Sequence, residues 1–236
     1  MNRICVSLDL ETTGLKAESD EIIEIGAVKF NGGRTIETFH TLVNPYQTLP
    51  YRIRLLTGIT QEELDSAPHL ALVASGLISF MGDHPIVGQN IAFDLGFLSH
   101  RGIEFSSPVY DTLELANLLL PQLLDHSLPM LARELEVPCP IHHRALPDAV
   151  TAKGVFLALI DRASQLDLPI ISEINRLTAT IQWSLRPLFL DIEREKRSLA
   201  PAEGAKPVAG PMNPAPGGKL IPNLDRKPLD VEWLAS

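Results

Sequence analysis

Asn31-Gly32-Gly33 joins two apolar runs, 21–30 (EIIEIGAVKF) and 34–43 (RTIETFHTLV). So short a link between runs of that length predicts a tight β-hairpin. The run before them, 3–9 (RICVSLD), reads as a buried strand, and Asn44-Pro45 ends the third strand. Helical and short extended segments then alternate. Thr60-Gln61-Glu62-Glu63 is a capping-box pattern. Pro68 opens a helix whose apolar residues are dense enough to bury most of it, and residues 85–88 read as a short buried strand. Helices follow over 93–101, 112–120, 128–135 and 147–165, with a brief extended piece at 107–110. Three leading strands followed by this alternation predict an α/β domain with a mixed central sheet flanked by helices. The expected division is a domain over 1–166, a helical extension over 167–197 interrupted at Pro187, and a Pro/Gly-rich flexible linker or tail over 198–236.

Of 236 residues, 45% are hydrophobic, enough for one good core. No apolar run approaches the roughly 18–20 residues of a membrane span. The first fifteen residues lack the pattern of a signal peptide, and a cytoplasmic location is the expectation. Cys5 and Cys139 have neither disulfide-framework nor zinc-site spacing. Gly217-Gly218-Lys219-Leu220 lacks the spacing and the hydroxyl of a P-loop. Residues 1–165 carry 11 basic and 20 acidic side chains, while 166–236 carry 9 of each. That acidity disfavours holding nucleic acid on a broad basic face. It leaves room for a chain that meets phosphates through divalent cations.

The carboxylates supply that alternative. Asp9 and Glu11 alternate at the end of an apolar strand, on one face and about 7 Å apart along the chain. Two acids there need compensation by a cation or by basic partners. Thr12-Thr13-Gly14-Leu15 follows, with hydroxyl and amide donors and a glycine able to turn. Asp94 lies where a buried strand passes into a helix, in Gly88-Gln89-Asn90-Ile91-Ala92-Phe93-Asp94. Asp148 lies at the head of the last long helix, with His143 in the loop before it. Each acid taken singly reads equally well as a strand-end or first-turn residue. Four acids from three segments, with one histidine beside the last, suit two divalent ions bridging a phosphate.

Asp9-x-Glu11-Thr-Thr-Gly, Asn90-x-x-Phe93-Asp94 and His143-x-Ala145-x-x-Asp148-Ala149 resemble the three motifs of the DEDDh (DnaQ-like) 3′–5′ exonucleases. Arg144 stands where the sister group has its tyrosine, which favours the histidine subgroup. The resemblance covers about residues 3–165 and implies a ribonuclease H-like fold. It implies release of nucleoside 5′-monophosphates from a 3′ end of DNA, in repair or replication. Asp9, Glu11, Asp94 and Asp148 would hold two Mg²⁺ or Mn²⁺ ions, and His143 would be the general base. Thr12, Thr13, Gly14, Leu15, Thr57, Gly58, Ile59, Asn90 and Phe93 would line the terminal nucleotide. Phe93 reads equally as a core aromatic, and Leu15 either as a wedge at the last base or as a buried side chain. Gln89 departs from the family, where histidine often precedes the asparagine of the second motif. His142 leaves a second imidazole beside the first, but motif spacing favours His143.

Residues 169–197 are similar to the region after the exonuclease domain in some DinG-type helicases. A proofreading subunit docked to a polymerase through the tail, with Trp233 in a short segment 229–234, is the other context. The implied partners are therefore nucleic acid and a helicase or polymerase. An RNA-directed exonuclease and a non-catalytic tethering module are the alternative functions.

Overall fold

A computed structural model describes residues 3–139 and 143–199. His142 and the tail from residue 200, including 217–220 and 229–234, lie outside the described residues.

The hairpin forms as the Asn-Gly-Gly link requires. β2 (Ile22–Asn31) pairs antiparallel with β3 (Arg34–Leu42), and Gly32 takes a φ of 53° at the turn. β1 (Ile4–Thr12) pairs antiparallel with β2. It runs through Asp9 and Glu11, so both acids sit inside the strand and not beyond its end. β4 (Ile86–Gly88) lies parallel to β1, and β5 (Val109–Asp111) parallel to β4. The sheet is mixed, in the order β3-β2-β1-β4-β5.

Alternation along β1 separates two cores. Val6, Leu8 and Leu10 enter one, with Ile25, Ala27, Leu77, Phe80, Met81, Phe97 and Leu98. The helices covering that face are α3 (Leu70–Met81) and α4 (Ala92–His100). Cys5 joins the other core, with Phe30, Val87, Tyr110 and Phe156. That face is covered by α5 (Thr112–Leu119), α6 (Leu128–Glu134) and α7 (Ala145–Gln165). Ser7, Asp9 and Glu11 continue the odd-numbered register toward α7.

Three local expectations are corrected. α3 buries only Leu77, Phe80 and Met81, and Leu72 is 72% exposed, because one side of this helix meets the sheet and nothing covers the other among the described residues. A helix the sequence reading passed over, α1 (Tyr51–Thr57), precedes α2 (Gln61–Asp65). Pro187 does not interrupt a helix. The chain breaks earlier, between α8 (Leu168–Leu177) and α9 (Arg186–Leu199), and Pro187 lies in the first turn of α9, where its missing N–H costs nothing.

The capping box of α2 forms as expected, Thr60 accepting from Glu63 N–H and Glu63 accepting from Thr60 N–H. α8 and α9 bury Ile171, Leu188, Phe189 and Ile192 in the core of the α7 face. Trp183 and Ser184, between them, donate to the Glu114 carboxylate of α5 at 2.7 and 3.1 Å. Among the described residues no helix is long and apolar enough to cross a membrane.

α8 and α9 are joined by a carboxylate. Glu193 accepts from Ser172 at 2.6 Å, Asn175 at 2.6 Å and Arg197 at 2.7 Å. Hydrogen bonds from Ser172, Arg197 and Asn175 pull its pKa from 4.5 down to about 2. The folded-state value is depressed, so the stabilisation is present above pH 4.5 and is lost as pH falls toward 2. Glu193→Gln should therefore be less stable than the parent at pH 6. The gap should narrow progressively from pH 4.5 downward, as read by urea denaturation of both chains.

Candidate active site

Register places the acids. Asp9 lies opposite Gly26 and Glu11 opposite Glu24, and residues directly opposed in an antiparallel pair share a face. α7 crosses that face and brings Asp148 in its first turn. One carboxylate oxygen from each of Asp9, Glu11 and Asp148 lies within 4.8 Å of the other two. Asp94, in the first turn of α4, approaches from the other side of β1, and its Oδ1 accepts the Leu10 N–H at 2.8 Å. Asp94 and Asp148 are buried, while Asp9 and Glu11 are half-buried.

Burial and crowding shift the proton affinities of Asp9, Glu11 and Asp94 upward. Burial, then the charges of Asp94, Glu11 and Asp148, hold Asp9 well above the usual carboxylate range. Burial raises Asp94 likewise, against the opposing effect of the Leu10 N–H. Glu11 rises to about 8 through burial and the charges of Asp148 and Glu24, opposed by Arg144. An all-oxygen donor set of close carboxylates is the chemistry that hard divalent cations take. These residues fit such an ion.

His143 is exposed, with a left-handed φ of 58°. Its N–H donates to Asp148 Oδ2 at 2.9 Å, which fixes the loop to the first turn of α7.

A cavity of about 340 Å³ opens beside Glu11. Leu10 to Leu15 form one wall, Pro50, Arg52, Ile53 and Leu56 a second, and Phe93 a third. Leu15 is 84% exposed at its edge, so it is not a buried side chain. Phe93 both lines the cavity and packs on Phe97, so its two readings coexist. The threonine hydroxyls are engaged within the protein. Thr12 donates to the Gly14 carbonyl at 2.6 Å, and Thr13 accepts from Glu21 N–H and from the Gln47 amide.

Thr57, Gly58 and Ile59 are not among the lining residues. Gly58 is the left-handed C-cap of α1, Thr57 Oγ1 accepts the Ile59 N–H, and Ile59 is buried with Ile23, Leu49 and Leu64. They support the wall that Ile53 and Leu56 present. Asn90 is exposed with φ 52°, its N–H held by Asp111 Oδ1 at 2.9 Å. Gln89 ties Thr112 and the His126 carbonyl together, so its amide acts within the fold.

Of the segment 56–59 expected near the terminal nucleotide, Leu56 does line the cavity. Sequence reading missed Arg52 and Ile53, although Pro50 before them and Gly58 after them are ordinary helix boundaries. It also missed Glu24. That fully buried carboxylate accepts from Arg144 at 2.8 Å, from Ala145 N–H at 3.0 Å, and contacts His40 Nε2 at 2.6 Å. A glutamate between isoleucines in a buried strand was the available clue.

The RNase_T family model, described as an exonuclease, matches residues 6–156. DNA polymerase III PolC-type proteins are similar. That of Oceanobacillus iheyensis is 38% identical over 72% of this chain, and that of Thermotoga maritima 37% identical over 79%. The chain spans only 12% and 14% of those two proteins. Among solved structures, exonuclease X in complex with 5′ overhanging duplex DNA is 22% identical with a TM-score of 0.56, covering 69% of this chain and 94% of that one. E. coli exonuclease I in complex with a dA16 oligonucleotide is 18% identical with a TM-score of 0.62, covering 76% and 46%. Both have this fold. With its acids gathered on the sheet face under α7 and the family model spanning them, the chain belongs to the RNase_T exonuclease family, the DEDDh (DnaQ-like) group of nucleases.

Proposed function

We propose that this chain is a metal-dependent 3′–5′ exonuclease that removes nucleoside 5′-monophosphates from the 3′ end of DNA during replication. The observation that carries the proposal is the approach of Asp9, Glu11 and Asp148 oxygens to within 4.8 Å beside a cavity that Glu11 also lines. Ligand sites run from about 300 to 1,000 Å³, so this one suits a single nucleotide. A terminal nucleoside seated there sets its phosphodiester at the carboxylates. A phosphate would be repelled by them without a counter-charge, by about 4 kcal/mol per charge pair at 4 Å and an effective dielectric of 20. Two Mg²⁺ or Mn²⁺ ions held by Asp9, Glu11, Asp94 and Asp148 would reverse that charge, activate the attacking water and stabilise the leaving 3′ oxygen.

The chain's own groups do the rest. Leu15, Leu56 and Phe93 offer apolar surface to the base, and Arg52 a cation to the strand. His143, exposed on the loop whose N–H is bonded to Asp148, would take a proton from the attacking water. Imidazole suits that task near neutral pH. The PolC-type relatives support a replicative setting, with a polymerase as the partner.

With a 3′-labelled DNA oligonucleotide and Mg²⁺, Asp9→Ala and Asp148→Ala should each lose digestion, and His143→Ala should slow it about 10²–10⁴-fold. Parental rates in both aspartate variants would refute the proposal, and faster digestion of a matched RNA would reassign the substrate. A pH effect follows from Glu11. Its folded pKa of about 8 exceeds the unfolded 4.5, so the folded protein binds the extra proton in that window. Without metal, this group makes the fold less stable as pH rises from 5 to 8. Mn²⁺ favours the ionised form, so its thermal stabilisation should grow over the same interval, checked by melting curves with and without the ion.

A further inference from the structure

α7 begins without a capping side chain of its own, since its N-cap residue, Arg144, makes no side-chain cap bond. Its first N–H, that of Ala145, goes instead to Glu24 on β2, 121 residues away in sequence. The guanidinium of Arg144 closes on the same carboxylate through Nε and Nη2, and His40 of β3 takes up the remaining side of Oε1. Two residues along β2, Gly26 does the steric part. A Cβ there would lie 2.2 Å from the Ala145 carbonyl carbon and the Leu146 nitrogen. The helix start thus rests directly on the strand backbone.

These two seats lie opposite the two strand acids: Gly26 faces Asp9 and Glu24 faces Glu11. One turn into the helix comes Asp148, whose Oδ2 holds the His143 N–H. Residues 143–148 are therefore fixed to β2 at the level where β1 presents its carboxylates. A buried ion pair is a poor device for stability alone, because well-packed apolar residues of similar volume do as well or better. Its geometry is directional, and a planar guanidinium against a carboxylate fixes both distance and orientation.

The geometry points to Glu24 and Arg144 as positioning residues that hold Asp148 and His143 in register with Asp9 and Glu11, and so set the affinity of the site for divalent cations. This inference rests on the reading of those carboxylates as cation ligands.

Two variants of the full chain test it, Arg144→Met and the double variant Glu24→Gln/Arg144→Met, with Asp148→Ala as the control. Mn²⁺ binding is read by titration calorimetry without substrate, folding by thermal melting, and kcat and KM on a DNA oligonucleotide. Arg144→Met takes the guanidinium from a buried carboxylate, leaving it only the Ala145 N–H and His40, and should melt lower. The double variant removes both charges and should recover most of that loss. Both should bind Mn²⁺ about 10–100-fold more weakly than the parent, the usual cost of losing a group that orients a metal ligand. In both, kcat should fall while KM for the oligonucleotide stays near the parental value, because neither member of the pair lines the cavity. A folded double variant with parental Mn²⁺ affinity and kcat would overturn the inference and leave the pair a structural tie. If Asp148→Ala itself binds Mn²⁺ and digests DNA like the parent, it is the metal-nuclease reading that fails.

Discussion

Carboxylates resist being gathered, and Asp9, Glu11 and Asp148 are brought to within 4.8 Å of one another on a partly dry surface. The fold opposes that repulsion with contacts of long sequence reach. β1 is paired with β4 at Val6 and Ser7 and with β2 through Asp9 and Glu11, which fixes the two acids along the strand. Asp94 is held to β1 by the Leu10 N–H. Asp148 arrives on a helix seated over Gly26. Burial and the remaining repulsion appear in the proton affinities of Asp9, Glu11 and Asp94, which move toward the neutral acid. Protons and divalent cations are thus alternative ways to relieve the same crowding, and the cation is the one that also attracts a phosphate.

The acid left out of the cluster explains how the cluster stays defined. Glu24 sits across the ladder from Glu11 on the same face, close enough to raise the proton affinities of both Asp9 and Glu11. Hydrogen bonds from Arg144, Ala145 and His40 overcome its burial and hold its pKa below the usual value. Ionised and fully occupied, it has no lone pairs to offer a metal. One carboxylate is therefore converted from a competing ligand into an anchor, and the difference lies in the partners, not in the residue type.

The strands, the hairpin and most helices were legible because they rest on local signals: a two-glycine turn, alternating apolar residues, a capping box and prolines at helix starts. The acids were legible because Asp-x-Glu on an apolar strand is costly without a partner. What sequence could not supply was pairing across distance. Glu24 and Arg144 are 120 residues apart, and nothing local in either segment names the other. Gly26 looked like any strand glycine until a helix backbone was found above it. α1 was missed for a different reason. At seven residues it is too short for periodicity to speak, and its proline and glycine boundaries are the better guide. The burial expected for α3 failed because density of apolar residues does not say how many sides of a helix are covered.

α7 does two jobs at its two ends, and this links the site to the segment beyond residue 166. Its first turn carries Asp148 and rests on β2. Its later turns bury Phe156, Leu159 and Ala163 in the core shared with Leu188, Phe189 and Ile192 of α9. A 21-residue helix spans about 31 Å, so the two ends are too far apart for direct contact between the carboxylates and the residues packed at its far end. Any influence of α8 and α9 on the acids would have to pass through the helix as a rigid body. The seat at Glu24 and Gly26 is where such a displacement would be resisted. The Trp183 and Ser184 bonds to Glu114 brace the extension against α5, which itself packs on α7, so the far end of the helix is held independently. The position of Asp148 is then set at its seat on β2. Changes in the extension should register in stability before they register in the site.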